Sequence, residues 1–292
     1  MKKVFLILSF IGLGLLFVPK ASAQSLFEDE SQVVDGLYDE NATGVKTPMP
    51  LPYVREADVM WKKTVWREID FRQKMNQGFY FPTTPHKNLK NLYTILEEPL
   101  QDPTSGVTAY SAKGISASTG ELTEPLTWEQ IKMENQSSFN YTEEDDFGNV
   151  IQKIGYNTVQ SNEIKSVQVK EEWYFDKQRS ELLVKIIAIC PVRSYTKDGD
   201  DRATKSRLCW VPYDENLRKI LIDAPFYNRS NSATSLSYDD IFMRRVFDSY
   251  IIREDNVQDR SIADYAKGIE ALYESERIKQ SIIDFEQNLW EY

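Results

Sequence analysis

The sequence has one histidine, His86, and two cysteines, Cys190 and Cys209, in 292 residues. A His-based metal cluster, a Ser-His-Asp triad and a Cys-His pair with a supporting imidazole network all need more than that. His86 stands between Pro85 and Lys87 and reads as a loop residue. There is no G-x-G-x-x-G and no P-loop. Ser194-Tyr195-Thr196-Lys197 matches S-x-x-K by letter only, at a strand end and without S-D-N or K-T-G. The runs "EEDD" and "DGDD" lack the alternate-residue ligands and the distant bidentate Glu of a calcium loop, so they read as solvated turns. Carboxylates are abundant, yet nothing selects a pair for acid/base work. No excess of positive charge is present either, since the formal net charge is −10. That argues against a nucleic-acid or anionic-membrane partner held by charge. Beyond residue 23, no run reaches the roughly 18 to 20 apolar residues that insert across a bilayer. With catalytic letters missing and aromatic and charged residues interleaved, as in "DIFMRRVFDSYIIRED", the composition favours an interaction protein over an enzyme.

Residues 1 to 23 read as a secretory signal. Lys2 and Lys3 form its charged start, "VFLILSFIGLGLLFV" its apolar core, and Ala21-Ser22-Ala23 its cleavage site. Cleavage after Ala23 removes three lysines and takes the net charge from −10 to −13, 32 cations against 45 carboxylates. No cysteine adjoins the junction, so a lipid anchor on the mature N-terminus is not expected. Residues 24 to 49 form an acidic, sparsely apolar arm. The folded domain is expected over 50 to 292, long enough for a true core.

Within that domain, "ADVMWKKTVWREIDFRQKMN" (57 to 76) reads as a helix. Met60, Phe71, Ala57, Met75, Trp61, Val65, Ile69 and Trp66 sweep about 240° of it, leaving Lys63, Arg67, Asp70 and Lys74 as the polar strip. Such a helix needs cover on two sides: either two layers of its own core, or its own domain and a partner met by Trp61 and Trp66. "KNLKNLYTILEEPL" supplies a second helix with Leu89, Leu92, Tyr93 and Leu96 on one face, and "TWEQIKMENQ" a short one capped by Thr127. Residues 99 to 127 read as a long irregular connection.

"EIKSVQVKEEWYFD", "ELLVKIIAICPVRSY" and "RLCWVPY" alternate or run apolar between turn signals, which predicts an antiparallel meander. "DENLRKILI" reads as a further turn or short strand. Cys190 and Cys209 are symmetric about Gly199 and Asp200, so a symmetric hairpin sets the sulfurs opposite each other, and an exported compartment permits a bond. A one-residue slip of register would instead leave two buried free thiols on different faces. At the C-terminal end, Ser237 with Asp240 and Ser261 with Asp264 resemble capping boxes opening "YDDIFMRRVFDSYIIRE" and the last helix. In that last helix Ile262, Tyr265, Ile269 and Leu272 share one face, whereas Ile278, Ile282, Phe285 and Leu289 lie roughly 170° around. Either the helix breaks near Glu274 and Ser275, or its second half leaves the core. The second option makes Ile278, Ile282, Phe285 and Leu289 a partner-facing stripe. The fold class expected is α+β, an antiparallel meander flanked by N-terminal and C-terminal helices.

Four blocks in order carry a resemblance: "DVMWKKTVWREIDFRQKMNQGFYFP", "VKEEWYFDKQRSELLVKIIAICP", "YDDIFMRRVFDSYIIREDNVQDRSI" and "GIEALYESERIKQSIIDFEQNLWEY". Together they resemble the gliding-motility GldN family, called PorN in non-gliding relatives. The resemblance implies a periplasmic, non-enzymatic component of the type IX secretion system of Bacteroidetes-type bacteria. Such a component forms a ring under the outer membrane with a lipoprotein, the K component (GldK/PorK type), and engages the periplasmic part of the M component (GldM/PorM type). It implies no catalytic, cofactor or metal residues, and membrane attachment through the lipoprotein. The alternatives kept beside it are an exported ligand-binding module and a carboxylate-based hydrolase.

Overall fold

The computed structural model describes residues 46–86, 88–112, 122–144, 150–196, 203–227 and 236–289, the side chains of 137–157 excepted. The expected signal, residues 24–45 of the arm, and the "KDGDD" turn lie outside them.

Along the chain the strands and helices are β1 (Val59–Asp70), α1 (Gln77–Tyr80), α2 (Leu92–Gln101), β2 (Ala109–Ser111), β3 (Pro125–Leu126), α3 (Trp128–Asn135), β4 (Ser137–Glu144) and β5 (Val150–Asn157). There follow β6 (Ile164–Asp176), β7 (Glu181–Thr196), β8 (Ala203–Arg207), β9 (Cys209–Pro212), α4 (Glu215–Asp223), β10 (Pro225–Phe226), β11 (Leu236–Ser237), α5 (Tyr238–Met243), β12 (Tyr250–Glu254), α6 (Ile262–Tyr265) and α7 (Ile269–Asn288). One sheet has the order β12-β1-β6-β7-β9-β2-β3, with β8 also on β7, and its pairings are antiparallel. The β4–β5 and β10–β11 pairs stand as separate two-stranded sheets. The α+β class and the β6–β7–β8/β9 meander agree with the sequence reading.

The tryptophan segment does not. Residues 59–70 are a strand between β6 and β12, and only a short 3-10 turn at Glu56–Asp58 precedes it. Trp61, Val65 and Ile69 recur every four residues, which suits one face of a strand as well as one face of a helix. Trp66 lies on the opposite face and joins Ala112, Ala188, Cys190 and Trp210 in their own cluster. The apparent second side of a helix is therefore the back of the sheet.

The front face carries two cores. Ile69, Val167, Val169, Ile189 and Val211 pack with α2, α3, α4 and α5 through Leu92, Leu96, Ile131, Leu217, Leu221, Ile241 and Phe242. Val65 and Ile251, with half-buried Trp61 and Trp173, pack with Ile262 of α6 and with Ile278 and Ile282 of α7. Arg67 on β1 and Glu171 on β6 separate the two cores, each lying between residues of both along its strand.

Local chemistry fixes the helix starts. The Asn91 side chain accepts from the Thr94 N–H (2.9 Å) and caps α2. Thr127 and Gln130 form the capping box of α3, Ser237 and Asp240 that of α5, and Ser261 and Asp264 that of α6. The helix expected from Tyr238 to Glu254 stops at Met243. Arg245 takes a left-handed φ of 55° there, and the chain turns into β12. "DENLRKILI" is a helix rather than a strand, because Asp214 caps α4 by accepting from the Leu217 N–H and Leu217 and Leu221 are buried one turn apart.

Candidate interaction surface

The two apolar stripes of the last helix lie in different surroundings. The break falls at Ala266–Gly268, where Ala266 is extended and Gly268 adopts φ 61°, and α7 then runs unbroken through Glu274 and Ser275. Ser275 is buried, and its hydroxyl accepts the Ile251 N–H of the edge strand β12 at 2.8 Å. From this point the helix lies on the sheet. Ile278 and Ile282 are 1% and 2% exposed, and Phe285 stacks on Trp61 with ring centroids 4.4 Å apart. The stripe expected to face a partner is thus seated largely in the chain's own core: Ile278 and Ile282 are buried, while Phe285 and Leu289 are half-buried.

Of the opposite stripe, Ile262 is buried in the core, whereas Tyr265, Ile269 and Leu272 stay open and form an exposed ridge. Ile269 (68% exposed), Leu272 (58%) and Tyr273 (73%) project from the first two turns of α7, beside exposed Tyr265 at the end of α6. These turns lie N-terminal to the Ser275 contact that seats the helix on β12. The sequence shows both stripes; which one the core needs depends on β12, whose residues have a helix-like pattern in the sequence.

A second apolar surface lies beyond the Asp70 end of β1. Met75, Phe81, Leu89, Phe226, Ile241 and Val246 line a groove of about 790 Å³. Met75, Phe81 and Val246 are exposed. Gly78 forms part of its wall because the Phe226 ring approaches so closely that an added Cβ would sit 2.4 Å from Cζ. The Tyr238 hydroxyl, within 3.1 Å of the Gly78 carbonyl and 2.8 Å of that of Lys90, ties this wall to α5. Burial raises the Tyr238 phenol above the usual tyrosine range, so it stays a hydrogen-bond donor. Among the described residues, Lys74 and His86 bring the groove's basic groups and no carboxylate lines it. The single histidine, a loop residue in the sequence reading, is bridged to Leu89 at this wall.

The polar interior holds two clusters of buried charge. The Arg245 guanidinium donates two hydrogen bonds to Glu171 (2.9 and 3.1 Å), and the Trp173 indole donates a third at 3.1 Å. Arg67 Nε lies 3.2 Å from Glu171 without hydrogen-bond alignment. Burial lowers the Arg67 pKa, and the Glu171 charge opposes that shift. The left-handed Arg245 sits in a turn closed by the Arg245 N–H donating to the Phe242 carbonyl (3.2 Å) and the Val246 N–H to that of Ile241 (3.0 Å). A second buried group joins Arg218 to Asp239 through two bonds of 3.0 Å, with the Tyr213 hydroxyl donating to the same carboxylate. The Arg218–Asp239 group is a closed ion pair inside the core, whereas the single Glu171 carboxylate meets two guanidiniums, those of Arg67 and Arg245. Among the described residues no group of three or more His, Cys, Asp or Glu is placed to hold a metal.

The remaining sequence candidates are also placed. Trp66 is buried on the back of the sheet under Arg253, whose guanidinium carbon is 3.6 Å from the ring centroid, with Lys170 at 5.2 Å. Trp61 is half-buried against α7. Neither forms part of the ridge. Cys190 and Cys209 are buried free thiols, and the cross-strand bond is replaced by a register slip. Outside, β8 pairs with β7 as the symmetric hairpin requires, Val192 opposite Arg207. Leu208 then interrupts the strand, and β9 resumes one residue out of step, with Ile189 opposite Val211. Cys209 consequently faces the front core and Cys190 the back cluster.

No helix among the described residues is long and apolar enough to cross a membrane. A comparison with curated proteins finds no match. The profile of the family described as gliding motility associated protein GldN matches residues 54–291, a span that takes in both the ridge and the groove, and the chain belongs to that family.

Proposed function

We propose that this gliding-motility associated protein is a non-enzymatic periplasmic subunit of the type IX secretion and motility apparatus. In this reading the K-component lipoprotein holds it at the outer membrane, it self-associates there in a ring, and it engages the periplasmic part of the M component. The observation that carries the reading is the pair of exposed apolar surfaces, a ridge at the start of α7 and a groove beyond β1. Contiguous apolar surface rimmed by charge is what protein contacts require. The charged start, apolar core and A-x-A site of residues 1 to 23 support export.

The test is envelope fractionation with and without the lipoprotein. With it, the chain sediments with outer-membrane material; without it, the chain is released or degraded. Retention of the chain in that material when the lipoprotein gene is deleted would overturn the attachment.

A further inference from the structure

The last helix belongs to the smaller of the two cores. Val65, Ile251, Ile262, Ala266, Ile278 and Ile282 form that core, and the buried Arg67–Glu171 contact parts it from the larger core built by α2, α3, α4 and α5. The smaller core can therefore lose its cover while the larger one stays packed. α7 also lies over an edge. β12 ends the sheet, and no strand among the described residues pairs with its outer side. There the Ile251 N–H is closed by the Ser275 hydroxyl, 2.8 Å away. An uncovered strand edge is a template for pairing with other chains.

The joint between α6 and α7 is a glycine. Gly268 has φ 61° and ψ −124°, a combination that residues with a side chain rarely adopt. An added Cβ there would meet nothing within 4 Å, so the glycine serves backbone rotation and no neighbour crowds the joint.

We infer that α7 is a strap that lifts from the sheet as one piece about Gly268, while α6 and β12 stay in place, and that its closed position guards the β12 edge. Lifting takes Ile278 and Ile282 off Val65 and Ile251, takes Phe285 off Trp61, and frees the Ile251 N–H. The larger core keeps its packing throughout. The strap goes beyond the subunit reading and does not depend on it.

Residue-resolved amide hydrogen exchange on the full chain tests this, with Leu221→Ala as the discriminating variant. Leu221 is fully buried in the larger core, so its truncation favours global unfolding but leaves the lifting of α7 untouched. In the unmodified chain the amides from Glu276 to Ile282 and that of Ile251 share one opening equilibrium. They exchange faster than the slowest amides of β6 and β7 and depend less on urea, because less surface is exposed. The Ala266 N–H, which donates to the Ile262 carbonyl at 2.8 Å, is slower than α7 because α6 stays in place. Leu221→Ala speeds the slowest β6 and β7 amides about thirtyfold or more and leaves α7 and Ile251 unchanged. If that variant does not fold, Ile189→Val in the same core gives the same pattern at about two- to tenfold.

Equal speeding of α7 and the sheet by the larger-core variant means that the helix opens only when the whole domain unfolds, and it overturns the strap. So does a gradient along the helix, fastest at Asn288 and slowest at Glu276, with Ile251 slower than all of it, which is fraying from the end. An Ala266 amide that opens together with α7 overturns the hinge at Gly268.

Discussion

Ile282→Ala probes which way the last helix faces. Ile282 is 2% exposed and packs with Val65, Ile251 and Ile278, while Leu272, on the same helix, is 58% exposed. Truncating a buried isoleucine to alanine costs about 2–5 kcal/mol through lost transfer energy and the cavity left behind. For a chain of this size each kcal/mol shifts the melting temperature by about 2–4 °C, so a central value near 3 kcal/mol lowers Tm by about 6–12 °C. The matched change Leu272→Ala removes a methyl-bearing side chain from solvent and stays within about 0.5 kcal/mol. Scanning calorimetry on the two variants and the unmodified chain supplies the comparison. A collapsed transition in Leu272→Ala with an unchanged one in Ile282→Ala would refute this orientation of the helix. That outcome would turn α7 half a revolution about its axis and return Ile282 to a partner-facing surface.

Glu171→Gln leaves Arg67 and Arg245 buried around a neutral amide, and denaturant unfolding should show a loss of about 3–5 kcal/mol. Thr127→Ala removes the hydroxyl that accepts from Gln130 at the start of α3 and should cost about 0.5–2 kcal/mol in the same assay. In the native protein, neither cysteine should be alkylated until the chain is unfolded, and peptide mapping without reductant should recover no 190–209 link; finding that link would refute the register slip. Burial pushes the Cys209 thiol up to about 12 from an ordinary 9.0. The native state therefore keeps a proton that the unfolded chain releases, so this contribution is intact below about pH 9 and is lost as the pH rises from there towards 12. Cys209→Ala should flatten that alkaline fall in a urea midpoint measured against pH.

The β6–β7 hairpin was legible because its alternation, its turn "DKQRS" and its β-branched content agree. The cap at Thr127 and the capping boxes at Ser237 and Ser261 were legible because a cap is local chemistry. What failed was long-range. Trp61, Val65 and Ile69 fit either period, and only pairing with β6 and β12 along the whole segment selects the strand. Residues 250–254 looked helical for the same reason, until Arg245 reversed the chain and β1 offered an edge. The interaction surface inherited the error. Both stripes of α7 were visible, but a reading that lacked β12 could not tell which of them the edge strand would cover. The groove left no signal, since its walls come from segments more than 140 residues apart, Met75 and Gly78 on one side and Phe226 and Ile241 on the other.

The long register between β1 and β6 has a mechanical consequence for a protein of a motility family. Their antiparallel pairing runs continuously from Trp61 opposite Phe175 to Asp70 opposite Ser166. Ladder bonds lie across the strands, so tension along the strand axis loads the whole ladder in shear and requires its bonds to yield together. The same tension applied across the strands would open them one at a time, like a zip. Traction entering the subunit along β1 therefore meets its stiff direction, and an outward pull on the short strand β12 meets its compliant one.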